Sequence, residues 1–416
     1  MLSLTGTAET GGATEIVETA LKDVTFIDYE GTILHEYTKS EFLALTALPE
    51  NPSHDGLIAQ GWNWSLEDAQ TYVSKWDCLV IGQNYTTSDG KTRIYINVTD
   101  TFIEHGQTFL LKFTCSVNGG AVIDWGDGDT TTSSGTALGT YSHTYTAAGE
   151  YVVTIDVAES ATINLGYNGA NNGFFYTNNG NWPARYLVNR IEIGDRVTRF
   201  NRYCFKGCIN LKSISIPSGI TEIGNGAANG YAFQNCGITG LVIPDGVTVA
   251  PAQTVNQCYN LRFISFPNGI TSISSAPTSS ASLPDLRALT FPDTPITFQS
   301  NISVSSDSFK LEMFSFPVVY NNTLSQSYLR GNYYCRKIII PASVTQINDY
   351  AMTGTSGLRE MYMLPETPPT IVNTRGLPYM SLTIYVPYSE DHSILEAYQT
   401  ATNWSSYAAR MVEMEE

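Results

Sequence analysis

The chain has 416 residues, of which 42% are hydrophobic and 15% are charged, and its formal net charge is −17 at pH 7. This apolar share excludes a disordered chain and is sufficient for sizeable cores. The negative charge argues against nucleic acid as a partner, because nucleic-acid-binding proteins need a basic surface. No apolar run approaches the length of about 18 residues that predicts a membrane span.

The charge is distributed unevenly along the chain. Residues 1–158 carry 21 acidic and 6 basic side chains, whereas residues 159–416 carry 18 and 16. A change in net charge of this size indicates that the two segments belong to different modules. The composition predicts that the protein is mainly β. The predicted units are an N-terminal module that serves docking or oligomerisation (1–96), a β-sandwich (97–158), an aromatic and Asn-rich connector or cap (159–186) and a repeat solenoid with a C-terminal cap (187–416).

The N-terminal module combines short helix and strand patterns, which predicts a small α+β unit. Ser65 and Asp68 are typical of a helix start, and Trp62, Trp64 and Trp76 are assigned to the core because helices need large apolar partners. Two of the strands are expected to form a hairpin around Ser88-Asp89-Gly90. The predicted helices cover residues 13–22, Thr38–Leu45 and Ser65–Lys75, and the predicted strands cover Val24–Tyr29, Cys78–Ile81 and Thr92–Val98.

The second unit carries strand motifs in a fixed order. Strand Val122–Asp124 runs into Trp125-Gly126-Asp127-Gly128-Asp129, and Tyr141–Tyr145 and Gly149–Val157 follow. This order resembles the PKD-type immunoglobulin-like domain, although its tryptophan motif is shorter here. The resemblance implies a β-sandwich that acts as a spacer or interaction module.

The acidic turn of this unit has two interpretations. Asp124, Asp127 and Asp129 are weak candidates for Ca²⁺ ligands, because clustered carboxylates suit a hard cation. The alternative, which we favour, is a turn in which Asp side chains accept hydrogen bonds from backbone N–H groups.

The connector offers aromatic rings among many asparagines. Such a segment suits sugar binding, because rings stack on sugar C–H faces and amides bond hydroxyl groups. The favoured alternative is a loop that caps the first coil with its rings buried. The candidate ligand-binding residues here are Tyr167, Phe174, Phe175, Tyr176 and Trp182.

The second half contains an internal repeat of 22 to 27 residues, measured between its prolines. Each repeat offers a short strand, then a proline that ends it, then a second short strand. Stacked coils pair these strands around one continuous core. The repeat prolines are Pro217, Pro244, Pro267, Pro292, Pro317, Pro341, Pro365 and Pro387.

This pattern, best seen from Phe205 to Gly224, resembles the BspA-type leucine-rich repeat over about residues 187–410. The resemblance implies a surface-exposed recognition solenoid without enzymatic activity. Cys208, Cys236 and Cys258 recur before the strands and are expected to form a ladder of buried thiols. The run Ser393–Thr400 and the segment from Trp404 are expected to close the solenoid as a helical cap.

The consensus loosens between residues 270 and 335, where loops on a rigid scaffold can carry recognition. Four tyrosines in this stretch form a second set of candidate ligand-binding residues. They are Tyr320, Tyr328, Tyr333 and Tyr334.

The sequence shows no catalytic motif. It has no phosphate-binding Gly-rich loop, no nucleophile elbow and no zinc-protease motif, and its five histidines have no metal-ligand spacing with one another. We therefore predict a protein that is not an enzyme and that uses no cofactor. A carbohydrate-active enzyme is kept as a minor alternative, because paired carboxylates converge in space rather than in sequence.

Two non-enzymatic functions remain. The favoured hypothesis is a phage virion protein, a head or tail appendage, because the chain begins without a secretory signal and ends in MVEMEE without an anchor signal. The N-terminal module also resembles a segment of prophage-encoded leucine-rich repeat proteins of gut Firmicutes. The alternative is a bacterial cell-surface adhesin. The expected partners are other virion proteins, a host-surface protein or glycan and further copies of the chain, with no nucleic acid and no membrane insertion.

Overall fold

The computed structural model describes residues 20–167, 173–175, 184–224, 230–250, 254–273, 283–294, 297–298, 310–326, 328–329, 331–378 and 382–415. The helix predicted over residues 13–22 lies almost entirely outside these ranges. The chain is mainly β, as predicted, and its repeat region forms a solenoid.

The N-terminal module is a mixed sheet with short helices packed against it. Ser65 caps the longer helix and accepts the Asp68 N–H at 3.1 Å, which confirms the predicted start. Trp62, Trp64 and Trp76 are buried in the module's core, as expected. The strands are β1 (Val24–Ile27), β2 (Ile33–Tyr37), β3 (Leu57–Trp62) and β4 (Leu79–Thr87), in the order β2-β1-β4-β3, and the helices are α1 (Lys39–Leu43) and α2 (Leu66–Trp76).

Residues 92–165 form two facing sheets with a shared apolar core. Trp125 lies in this core, where the Tyr145 hydroxyl donates to its carbonyl at 2.8 Å. The strands are β5 (Thr92–Val98), β6 (Phe109–Cys115), β7 (Ala121–Asp124), β8 (Thr130–Thr132), β9 (Gly139–His143), β10 (Gly149–Val157) and β11 (Ile163–Leu165), and the helix α3 (Asp100–Glu104) connects the first two. One sheet contains β5-β10-β7-β8 and the other contains β11-β6-β9.

The predicted hairpin between Cys78–Ile81 and Thr92–Val98 is wrong. β4 pairs with β1 and β3 in the N-terminal sheet, whereas β5 pairs antiparallel with β10. The physical reason is burial: Ile94, Ile96 and Val98 of β5 belong to the core between the two facing sheets. β5 therefore crosses the predicted boundary at residue 96.

The coils stack their strands in two parallel layers, one of first strands and one of second strands, and the hydrogen-bond ladder of each layer is interrupted twice in the described residues. The repeat proline follows the first strand by one or two residues. We call the layer of first strands the first-strand sheet, and its surface away from the apolar core the outer face. The first strands are β12 (Val188–Glu192), β14 (Ser213–Ser215), β16 (Gly240–Val242), β18 (Phe263–Ser265), β20 (Ala288–Thr290), β22 (Met313–Ser315), β24 (Lys337–Ile340), β26 (Glu360–Met363) and β28 (Thr383–Val386). The second strands are β13 (Val197–Phe200), β15 (Glu222–Ile223), β17 (Val249–Ala250), β19 (Ser272–Ile273), β21 (Thr297–Phe298), β23 (Thr323–Leu324), β25 (Gln346–Ile347) and β27 (Thr370–Ile371).

The two facing sheets continue directly into the solenoid. β5 pairs antiparallel with β12, and β11 pairs parallel with β13. One apolar core consequently extends from Ile94 through the repeats to Met411. The β-sandwich thus closes the first coil, whose edge strands would otherwise be unpaired.

The C-terminal end is closed by a cap, as predicted. Helix α4 (Ser393–Thr400) is followed by a 3₁₀ helix over Ser405–Arg410, and β29 (Met411–Glu413) pairs parallel with β28. Trp404 is fully buried in this cap. None of the helices in the described part of the chain has the length and hydrophobicity that a membrane crossing requires.

The N-terminal module lies against the outer face of the first-strand sheet. The Tyr72 hydroxyl donates to the Phe291 carbonyl at 2.6 Å and lies 2.8 Å from the Ser315 Oγ. The Trp64 indole N–H donates to the Phe266 carbonyl at 2.7 Å. These groups are buried, so the module is fixed to the repeats by satisfied hydrogen bonds and not only by apolar contact.

We predict that Gly240→Ala weakens this docking. An added Cβ at Gly240 would lie 2.4 Å from the Gly31 backbone nitrogen, where no flexible group can give way. The free energy of unfolding should fall by about 1–3 kcal/mol, as for other overpacked contacts, measured by urea denaturation. Gly219→Ala is the matched control, because a Cβ there meets nothing within 4 Å. Equal stability of the two variants would contradict the close approach.

Candidate ligand-binding surface

The outer face of the first-strand sheet is covered over part of its length. All three residues of the first strands β14, β16, β18, β20 and β22 are buried, whereas β24, β26 and β28 alternate between buried and partly exposed residues. The outward side chains of the covered coils are small or apolar, such as Val242, Ser265 and Ala288, and contact β1 and β4. From β14 onward, the partly exposed outward positions of the described first strands therefore lie in the last coils.

We call the outward side chains of these last coils the open strip. At its centre the rings of Tyr362 and Tyr385 are stacked, with centroids 4.3 Å apart and an angle of 9° between their planes. The two tyrosines face each other because β26 and β28 are paired in register at these positions. Ile339 also points outward but packs against the core of the N-terminal module, so it is not counted. The open strip consists of Lys337, Glu360, Tyr362, Thr383, Tyr385 and Val412.

The surroundings of Tyr362 favour its neutral form. Burial, with a smaller contribution from Glu360, raises the pKa of Tyr362 well above its usual value. The Lys337 ammonium lies 4.3 Å from the Tyr362 ring centroid, at a cation–π distance, and also pairs with Asp77. A flat aromatic pair beside a cation suits stacking against a sugar ring or an apolar side chain.

The predicted aromatic connector separates into buried and exposed residues. Phe174 and Phe175 are 0% and 2% exposed and pack against Phe205 in the first coils, so their rings have no face for a ligand. This is the capping role that the alternative interpretation assigned to them. Tyr167 is 47% exposed, and Tyr176 and Trp182 lie outside the described residues.

The second predicted tyrosine set is also divided. Tyr328 is buried, and burial raises its pKa well above the usual value, so its ring supports the core. Tyr320 is partly exposed on the other side of the coil, in a 3₁₀ turn before β23. Tyr333 and Tyr334 are more than half exposed and precede β24, next to the open strip.

Tyr362 and Tyr385 were not among the predicted site residues. Their signal was nevertheless present, since Glu360–Met363 and Thr383–Val386 alternate apolar residues with polar or aromatic ones. In a strand this alternation places Tyr362 and Tyr385 on one face. The repeat pattern assigns both strands to the core, but it does not show which of their outward positions remain uncovered.

The acidic turn is organised by internal hydrogen bonds. The Asp124 carboxylate accepts the Gly126 N–H at 2.9 Å, and the Asp127 carboxylate accepts the Asp129 N–H at 3.2 Å. The structure brings Asp127 within 2.7 Å of the His143 Nε2, so His143 and not Asp124 completes the group that could hold a metal ion. The Asp side chains thus make the backbone contacts of the structural alternative, and Ca²⁺ binding stays a prediction.

The cysteines form the buried ladder that the repeats predict. The Cys236 Sγ lies 2.9 Å from the Phe205 carbonyl, and the Cys258 Sγ lies 2.9 Å from the Phe233 carbonyl one coil further on. All seven cysteines are unpaired thiols, and only Cys78 is not fully buried. Burial raises the pKa of Cys335 to about 12 and that of Cys258 well above its usual value.

Comparison with known proteins identifies the repeats. Residues 184–310 and 282–373 match the family described as "BspA type Leucine rich repeat region", in six copies. No curated protein matches the sequence. Residues 184–373 are therefore similar to BspA-type leucine-rich repeats.

Solved leucine-rich repeat structures are similar at low identity. A leucine-rich repeat protein from Bacteroides ovatus ATCC 8483 is 18% identical with a TM-score of 0.28, over 59% of this chain and 66% of that one. The pneumococcal vaccine antigen PcpA is 12% identical with a TM-score of 0.28, over 53% and 55%. A leucine rich cell surface protein from Faecalibacterium prausnitzii A2-165 is 16% identical with a TM-score of 0.25, over 55% and 72%.

We predict that the folded protein is almost unreactive toward a thiol reagent such as DTNB at pH 8. A raised pKa leaves less thiolate at this pH, and burial blocks access. At most the Cys78 thiol should react, and slowly, because burial raises its pKa as well. In guanidinium chloride all seven thiols should react.

The control for this titration is Ser405→Cys, which adds an exposed thiol and should give one fast equivalent. Rapid reaction of several thiols in the unmodified protein would show that the ladder is open to solvent.

Proposed function

We propose that this protein is a non-enzymatic adhesion protein that binds a surface macromolecule through the open strip and acts at a bacterial cell surface. The single observation that carries the proposal is the pairing of Tyr362 with Tyr385 on the part of the first-strand sheet that the N-terminal module leaves uncovered. The BspA-type repeat match supports binding rather than catalysis, since it concerns a structural repeat and not an enzyme family.

The scaffold is suited to display. The solenoid is closed at one end by the β-sandwich and at the other by α4 and β29, so its coils are held in one register. Rigid coils present outward side chains at fixed spacing, which lowers the entropic cost of binding a large ligand. The resemblance of the β-sandwich to PKD-type domains fits a spacer that carries the solenoid away from an anchoring surface.

The location can be a phage particle instead of a cell. The virion appendage favoured by the sequence analysis would use the same open strip against a host-surface protein or glycan, with the N-terminal module and further copies of the chain in the assembly. One face of that module already packs on the repeats, so docking or oligomerisation would use its remaining surface. Fractionation of the producing culture separates these locations: an adhesin sediments with the cell envelope, whereas an appendage sediments with particles.

We expect the double variant Tyr362→Ala, Tyr385→Ala to lose adhesion. Labelled protein would be applied to immobilised mucin, extracellular-matrix proteins and whole bacterial cells, and binding should fall at least about fivefold because the stacked platform is removed. Tyr388→Ala is the matched control, since Tyr388 follows β28 and is 42% exposed without lying in the open strip.

Two outcomes would overturn the proposal. One is unchanged adhesion in the double variant when its thermal unfolding midpoint equals that of the Tyr388→Ala variant. The other is release of reducing ends from a polysaccharide panel by the purified protein, which would support the carbohydrate-active enzyme alternative.

A further inference from the structure

A cleft of about 1080 Å³ lies between the N-terminal module and the edge of the first-strand sheet. The module contributes residues 20–23 and 76–78 to its wall, and the repeats contribute residues around the starts of β18 to β24. This volume lies at the upper end of the range that holds small-molecule and oligosaccharide-sized ligands. The cleft is distinct from the open strip, although Lys337 borders both.

The cleft is basic in a strongly acidic protein. Six of the 22 Lys and Arg residues of the chain line it, against three carboxylates. This local concentration of basic side chains is unexpected in a chain of net charge −17 and points to a functional role. The basic residues are Lys22, Arg262, Arg287, Lys310, Arg336 and Lys337, and the acidic residues are Asp23, Asp77 and Glu312.

The repeat places these charges at one position of successive coils. Arg262, Arg287, Glu312 and Arg336 each stand directly before or at the start of a first strand. The Arg287 N–H donates to the Arg262 carbonyl at 2.9 Å, and the Glu312 N–H donates to the Arg287 carbonyl at 2.7 Å. Strands in a sheet are about 4.8 Å apart, so Arg262, Arg287 and Glu312 follow one another at regular spacing, and Arg336 occupies the same repeat position in the next sheet.

Two of the carboxylates already have partners. Glu312 accepts the Arg287 Nε–H at 2.6 Å and the Leu21 backbone N–H at 2.7 Å, and this ion pair is almost fully buried. Asp77 contacts both Lys39 and Lys337. Most cations of the cleft are paired as well. Lys22 pairs with Glu41 and Lys310 with Asp285, while Arg287 and Lys337 pair with the two carboxylates named above. The charge available to a ligand must therefore come from a basic side chain outside these pairs.

Arg336 differs from the other arginines in the row. Its side chain is exposed, and within the described residues its guanidinium has no hydrogen bond or ion pair. Tyr334 also lines the cleft, and its side chain is 53% exposed. A guanidinium fork beside an open aromatic ring matches a sugar that carries a carboxylate or sulfate group.

We propose that this cleft binds an acidic oligosaccharide, with Arg336 pairing with a carboxylate or sulfate group and Tyr334 stacking on the sugar ring. The inference rests on the proposed adhesive function and names the ligand class of a second site. A saccharide with spaced charges fits better than nucleic acid, because the overall charge of −17 repels a dense polyanion outside the cleft.

The test compares Arg336→Gln with Arg359→Gln. Arg359 occupies the same repeat position one coil further on, but it does not line the cleft. Isothermal titration calorimetry on the full chain would use a heparin-derived hexasaccharide, an oligogalacturonate hexamer and maltohexaose as the neutral probe. We expect the acidic probes alone to bind, with a dissociation constant raised about tenfold by Arg336→Gln and changed less than about twofold by Arg359→Gln.

Several outcomes would overturn the inference. Equal binding of maltohexaose, or equal effects of the two variants, removes the role of Arg336. Tighter binding of a short single-stranded DNA than of either acidic saccharide assigns the cleft to another class of ligand. Absence of acidic-saccharide binding, while adhesion still depends on Tyr362 and Tyr385, overturns the cleft inference and leaves the proposed function standing.

Discussion

The structure depends on one constraint: the short strand of a single coil cannot bury its apolar side alone. Each first strand has only three to five residues, of which some point into the core, and stacking of the coils completes that core. A stack has two ends, and an open end would expose both the apolar core and an unpaired strand edge. The chain closes one end with β5 and β11 of the β-sandwich and the other with β29 and the helices before it. The core from Ile94 to Met411 is continuous because both closures use the same sheets as the coils.

The N-terminal module imposes a second constraint, on the outer face. Where the module docks, the outward side chains of the first strands are small or apolar. The polar Ser265 is accommodated there because its hydroxyl donates to the Val80 carbonyl at 2.9 Å. Beyond β22 the module covers less of this face: Ile339 of β24 still packs against its core, whereas Tyr362 and Tyr385 occupy outward positions of β26 and β28. The location of any ligand-binding face therefore follows from the extent of the module rather than from the repeats themselves.

This arrangement separates two kinds of recognition on one scaffold. The open strip offers a stacked pair of tyrosine rings, whereas the cleft offers the exposed guanidinium of Arg336 between the module and the sheet. The first suits extended contact with a surface, and the second suits a charged group held in a confined space. Both depend on the fixed register of the coils, because a shift of one residue would turn the outward side chains into the core.

Much of the local structure could be predicted from the sequence. The repeat prolines, the thiol ladder, the cap helix Ser393–Thr400 and the capped helix start at Ser65 all rest on local rules of periodicity and hydrogen bonding. Strand β3 was missed because Leu57–Trp62 contains Gly61 in a left-handed conformation at a bulge and exposes Ile58. The predicted hairpin failed because strand pairing is decided by burial against distant segments and not by turn residues alone.

The sequence by itself determined that the second half is a solenoid, since the same strand–proline–strand pattern recurs in each coil. The tertiary structure alone decided that β5 joins the β-sandwich, that the N-terminal module covers β14 to β22, and that Tyr362 and Tyr385 meet on the uncovered part. The physical reason is range: periodicity and capping act between neighbours along the chain, whereas burial depends on surfaces that only the folded chain brings together.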